Sequence, residues 1–154
     1  MSARPLSELR TKRLEKFVQS CKEACKTRKS FDKHFTIIKQ HVFKRAAETI
    51  SHLRHTLQTK ENLAKVVRAG KLNIKNSKTE PVIEVAIEAR FKILEWTDPG
   101  QVTGKMSGEE ENVCVRVIIK EDRNSSIKKV IVTVYADNNI DPSTIPEVAE
   151  DEIW

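Results

Sequence analysis

The stretch FDKHFTIIKQHVFKRAAETISHLRHTLQTKENLAKVV, residues 31–67, places an apolar side chain at alternate steps of three and four. The series runs Phe31, Phe35, Ile38, Val42, Ala46, Ile50, Leu53, Leu57, Lys60, Ala64 and Val67, and only Lys60 departs from it. Ten steps cover 36 residues, a mean of 3.6, which is the period of an α-helix. Neither Pro nor Gly intervenes before Gly70, where a C-terminal cap belongs. The pattern therefore predicts one helix of about ten turns, roughly 55 Å long at 1.5 Å per residue. A single globule of 154 residues is narrower than that, so part of the helix is expected to project. An apolar stripe in water needs a cover. The cover is either the N-terminal helix of the same chain or a helix of a partner, with Phe35, Ile38, Val42, Ile50, Leu53 and Leu57 as the seam.

Charge is distributed unevenly around this stretch. Residues 1–70 hold 17 Lys or Arg against 6 Asp or Glu, a balance of +11, and residues 71–154 hold 11 against 16, a balance of −5. The two sum to the net +6, with 32% of residues charged and 5% aromatic, a composition usual for exposed helices around a modest core. Lys22, Lys26, Arg28, Lys29, Lys33, Lys44 and Arg45 could track phosphates, although scattered lysines on a helix ordinarily form its solvated face. Cys21, Cys25 and Cys114 are too few for a disulfide framework and point to a reducing compartment. No signal-type apolar core and no run of membrane-spanning length occurs, so an intracellular protein with no membrane partner is expected.

Before the main stretch, Ser7 is a plausible cap for a first helix carrying Leu9, Leu14, Phe17, Val18, Cys21 and Cys25. The KTRKS segment, residues 26–30, is either a tight hairpin connection or a charged patch within one rod. Residues 71–80 (KLNIKNSKTE) read as a polar linker. Beyond it, PVIEVAIEARFKILEW, residues 81–96, alternates as a strand does, yet Ile83, Ile87, Phe91 and Leu94 also fit a helix. Asp98-Pro99-Gly100 is a turn, and Val102–Met106 reads as a short strand. Val113, Val115, Val117 and Ile119 mark the cleanest strand in the chain, and residues 127–135 (IKKVIVTVY) favour another. Residues 137–154 form an acidic, Pro-bearing tail, expected to stay unfolded until Ile153 and Trp154 find a surface.

Few residues suggest chemistry. His34, His41, His52 and His55 share one flank of the predicted helix, and His52 and His55 have a metal-compatible spacing, but no carboxylate completes a ligand set. Cys21 and Cys25 stand one turn apart, as buried small residues of a first helix would. Gly100, Gly104 and Gly108 lack the Lys-Ser/Thr ending of a phosphate-binding loop and suit hairpin turns better. No nucleophile with a base and an orienting group is legible, and no enzyme, cofactor or metal is expected.

Residues 79–96, followed by DPGQVTGKMSG (98–108), resemble the head of the small subunits of the outer-kinetochore rod complex, which carry a coiled-coil arm and an RWD-like head. The matching residues are Lys92, Ile93, Glu95, Trp96, Pro99, Gly100, Val102 and Gly104. The resemblance implies a helix from Pro81 to about Ala89, a first head strand over 91–97, and a tethering role in chromosome segregation at the nucleus or chromosome. The shorter arm, the strand-like residues 127–135 and the acidic tail depart from that pattern.

The expected architecture is α+β: a long helical arm over 1–70 (coiled coil or hairpin), a linker over 71–80, a small antiparallel sheet head with one short helix over 81–136, and a flexible tail. The expected role is a structural or adaptor subunit. Its arm would bind another helical subunit, and its head would dock a protein or peptide through Trp96, Ile153 and Trp154. The alternative is a nucleic-acid-binding accessory subunit using the basic arm.

Overall fold

The computed structural model describes residues 6–38, 42, 59–96, 106–125, 128–149 and 151–154. It is an α+β fold. Helix α1 (Leu6–Ala24) leads to α2 (Arg28–His34), strand β1 (Phe35–Ile37) and helix α3 (Lys60–Ala69). Strands β2 (Lys71–Lys78), β3 (Glu84–Trp96), β4 (Met106–Glu121) and β5 (Lys129–Ala136) follow, then the 3-10 turn Pro142–Thr144. The sheet order is β1-β5-β4-β3-β2. β2, β3, β4 and β5 pair antiparallel in succession, whereas β1 joins β5 in parallel, Phe35 opposite Lys129. The sheet is therefore mixed, not purely antiparallel as expected.

The predicted unbroken helix over 31–67 is corrected at its start. α2 ends at His34, and Phe35 opens a strand. Thr36, Ile37 and Ile38 are three β-branched residues in a row, which lose side-chain freedom in a helix and fit a pleated strand. The period survives the change because Phe31 and Phe35 reach the same core from different elements, their rings stacked 4.7 Å apart. Phe31, Phe35, Val42, Ala64 and Val67 are all buried in this chain's own core. Ala46, Ile50, Leu53 and Leu57 lie outside the described residues. A long projecting arm is thus not established, and arm and head share one core.

That core lies between the helices and one face of the sheet. α1 contributes Leu14, Phe17, Val18 and Cys21, α3 contributes Leu63, Ala64, Val66 and Val67, and the alternate residues Val85, Ile87, Ala89, Val115, Val117 and Ile119 face them. Each large side chain so removed from water stabilises the fold by about 1.5–3 kcal/mol before entropy is subtracted. The α1–α2 connection is tight. Thr27 caps α2, its hydroxyl accepting from Ser30 N at 3.1 Å. Ser7 lies inside α1, where its carbonyl accepts from the Thr11 hydroxyl.

Gly70 does follow the last turn of α3, with its N–H bonded to Val66 O at 2.8 Å. Its role is close approach: a Cβ there would sit 2.4 Å from Ile87 Cγ2 and 2.6 Å from Val66 O. The chain enters β2 directly after it, so the expected linker is largely a strand. The ambiguity over 81–96 resolves to strand from Glu84 onwards, against the helix that the resemblance implied. Both β4 and β5 fall where alternation placed them. The Asp98-Pro99-Gly100 turn and most of Val102–Met106 lie outside the described residues.

The acidic tail is ordered over 137–149 and 151–154. It crosses the second face of the sheet, where Arg90 Nη1 donates to Pro142 O at 2.9 Å. It then runs beside β3: Arg90 N donates to Pro146 O and Val148 N to Arg90 O, both at 2.8 Å. Val148 enters the main core. Trp154 closes on Phe31, ring centroids 5.4 Å apart, and its indole N–H donates to Cys25 O at 3.2 Å.

Candidate anion-binding groove

Helical spacing puts Arg13, Lys16, Phe17 and Ser20 of α1 at i, i+3, i+4 and i+7, on one face. Opposite them stand Ile83 just before β3, Glu121 at the end of β4, and Lys128 and Lys129 at the start of β5. Together these side chains line a groove of about 390 Å³. Among the described residues, four cations meet one carboxylate.

Lys129 is the unusual member, only 7% exposed. As the first residue of β5 it shares the core-facing parity of Ile131, so its stem runs into the packed layer. Its ammonium lies 5.9 Å from the centre of the Phe17 ring, within cation–π range. Among the described residues no carboxylate lies within ion-pairing distance of it. Arg13 reaches Glu80 at 3.5 Å, but both side chains are largely exposed, and such pairs hold weakly.

A second polar cluster occupies the opposite face of the sheet. Glu88 and Arg116 are both buried and in contact, with Arg116 Nε donating to Glu88 Oε2 at 2.7 Å. Asn73 Nδ2 donates to both Glu88 oxygens at 3.1 Å, and Arg116 Nη1 donates to the Tyr135 hydroxyl at 2.8 Å. Asp137 lies 3.3 Å from the same Nη1. Burial pulls the Arg116 guanidinium pKa down, but the hydrogen bonds it donates to Tyr135 and Glu88 outweigh that and hold it above its ordinary value. The cluster is saturated by its own members, the condition under which a buried ion pair is tolerated.

The cysteines are buried and free. Burial pushes the Cys21 and Cys25 thiols up to about 12, far from a reactive thiolate. Of the four histidines only His34 is described; its Nδ1 lies 2.8 Å from Ser30 O. Among the described residues no three His, Cys, Asp or Glu side chains gather as a metal site. Gly108 lies within β4 rather than in a turn, and Gly100 and Gly104 are outside the described residues.

The other expected site residues separate. Of the seam, Phe35 and Val42 are internal, Ile38 is 46% exposed, and Ile50, Leu53 and Leu57 lie outside the described residues. Trp96 ends β3, while Ile153 and Trp154 pack against this chain's core instead of offering a free docking surface. Of the phosphate candidates, Lys22 is committed elsewhere: its ammonium donates to the carbonyls of Val67, Arg68 and Gly70 at 2.9, 2.8 and 2.7 Å. Lys26 pairs with Glu23 at 2.7 Å. Arg28, Lys29 and Lys33 are exposed on α2, and Lys44 and Arg45 lie outside the described residues.

Sequence reasoning missed Lys129, Arg13, Lys16 and Lys128. The available signal was parity: Lys129 precedes Ile131 by two. No family model, curated protein or solved structure matches the chain. No described helix is long and apolar enough to cross a membrane.

Proposed function

We propose that the chain is a non-enzymatic, nucleic-acid-binding accessory subunit that grips phosphates with the groove and the basic surface of α1. The observation that carries this reading is the convergence of Arg13, Lys16, Lys128 and Lys129 on one cavity, with Glu121 the single carboxylate among its described lining residues. The surplus of +11 over residues 1–70 supports it at longer range by raising the local concentration of polyanions. Binding of this kind releases counterions, so four phosphate contacts to a single strand give a slope of log affinity against log salt of roughly −3. Anisotropy titrations of a fluorescent single-stranded oligonucleotide between ~50 and ~200 mM salt measure it. The double variant K16Q/K128Q is expected to weaken binding to every sequence alike and to flatten the slope. No binding at the lowest salt, or a slope untouched by that variant, refutes the reading.

A second reading, the structural adaptor, rests on Ile38, a large apolar side chain left 46% exposed just past β1 at the edge of the sheet. A helical partner, as in the kinetochore-like scaffold, would cover it. Sedimentation of the purified chain separates the two readings, because an adaptor of this kind self-associates or aggregates without its partner.

A further inference from the structure

We propose that the groove is a site for a terminal phosphate monoester, and that Lys129 is its seat. For the polymer-borne form this inference rests on the nucleic-acid reading above; for a free nucleotide it stands alone.

Three observations separate this site from a merely basic surface. The first is immobilisation. A lysine that tracks a diester backbone sweeps through solvent on a flexible stem. Lys129 is instead 7% exposed, with its ammonium held over the Phe17 ring. A fixed point charge that, among the described residues, forms no ion pair even with its cross-strand neighbour Glu121 suits one compact, fixed anion.

The second is charge. Among the described lining residues, Arg13, Lys16, Lys128 and Lys129 against Glu121 leave a surplus of three positive charges around one cavity. A backbone diester brings one negative charge. A monoester brings about −1.5 to −2 near pH 7, with three acceptor oxygens that can each take a separate cation.

The third is room. A cavity of about 390 Å³ falls within the range of small-ligand sites, and Phe17 and Ile83 supply apolar wall beside the cations. The groove therefore has space for a phosphate together with the sugar that carries it.

The test uses the full chain and oligonucleotides of one sequence ending in a 5′-phosphate, a 3′-phosphate or hydroxyls only, at about 150 mM salt, where long-range attraction is damped. One phosphorylated end is expected to bind about tenfold tighter than the hydroxyl-ended strand. That preference is expected to vanish in K129M, which keeps the buried stem and removes the charge. K128Q, at a half-exposed position, reads the same loss if K129M fails to fold. Adenosine monophosphate and inorganic phosphate, as competitors, separate a free from a polymer-borne source. Equal binding of all three strands overturns the monoester site and leaves the nucleic-acid reading standing. Tight binding of the mononucleotide, with no strand bound, keeps the site and removes that reading. Binding of no probe removes both.

Discussion

Arg116 and Glu88 illustrate how much a single position can control. Each is buried, and each satisfies the other. Replacing one alone strands a charge, so R116M is expected to lower stability by about 3–5 kcal/mol, measured by urea unfolding. The double variant E88M/R116M should recover most of that loss; a double variant as unstable as the single one would show that Tyr135 and Asp137 depend on the guanidinium. The thiols of Cys21 and Cys25 make a pH prediction. Burial raises both from 9.0 to about 12, so the folded state holds its thiol protons where the unfolded state releases them. Their contribution is fully present below pH 9 and is lost between pH 9 and 12, and stability should fall across that window. A C21A/C25A variant should show a smaller fall in the same alkaline titration. Lys129 shows why the groove was hard to read. In IKKVIVTVY two adjacent lysines look alike, and only the fold reveals that one points among the core and the other does not.

Elements were legible where pattern and propensity agreed. Val113 to Ile119 alternate, are β-branched and form β4 as expected. The 31–67 stripe misled because, among its described residues, a helix, a strand and a second helix each turn their apolar residues towards one core, and a period of 3.6 cannot register the breaks. The β-branched run Thr36-Ile37-Ile38 was the local warning. Two contacts hold α3 in place, and each gives a prediction. Lys22 caps the C-terminal carbonyls of α3, so K22M should reduce stability by about 1–2 kcal/mol and speed amide exchange in the last turn. Unchanged exchange at Val66 to Ala69 would deny that role. Gly70 lets α3 pass close to β3, so G70A should shift the urea midpoint down, by about 1–3 kcal/mol of overpacking. An unshifted midpoint would mean that Ile87 yields without strain.

At the scale of the molecule, pairing between sequence-remote segments governs assembly. β1 meets β5 across most of the chain, and the tail reaches back to the α1–α2 connection, α2 and α3. Loop closure of this length slows folding, so the chain should fold in milliseconds or longer, as stopped-flow fluorescence would show. The tail was the hardest part to anticipate. Its acids and prolines are those of a disordered segment, yet its sparse apolar residues, Ile145, Val148, Ile153 and Trp154, and its backbone bonds to Arg90 anchor it. Its position beside β3 has a further consequence. β2 begins at Lys71 opposite Glu88, so from Arg90 onwards this rim of β3 has no partner in β2, and a bare rim there would invite any passing extended peptide. Pro146, Glu147 and Val148 occupy that rim, with Pro146 and Val148 bonded to Arg90. The tail thus lays its own backbone along a stretch of edge that would otherwise be open to strand addition.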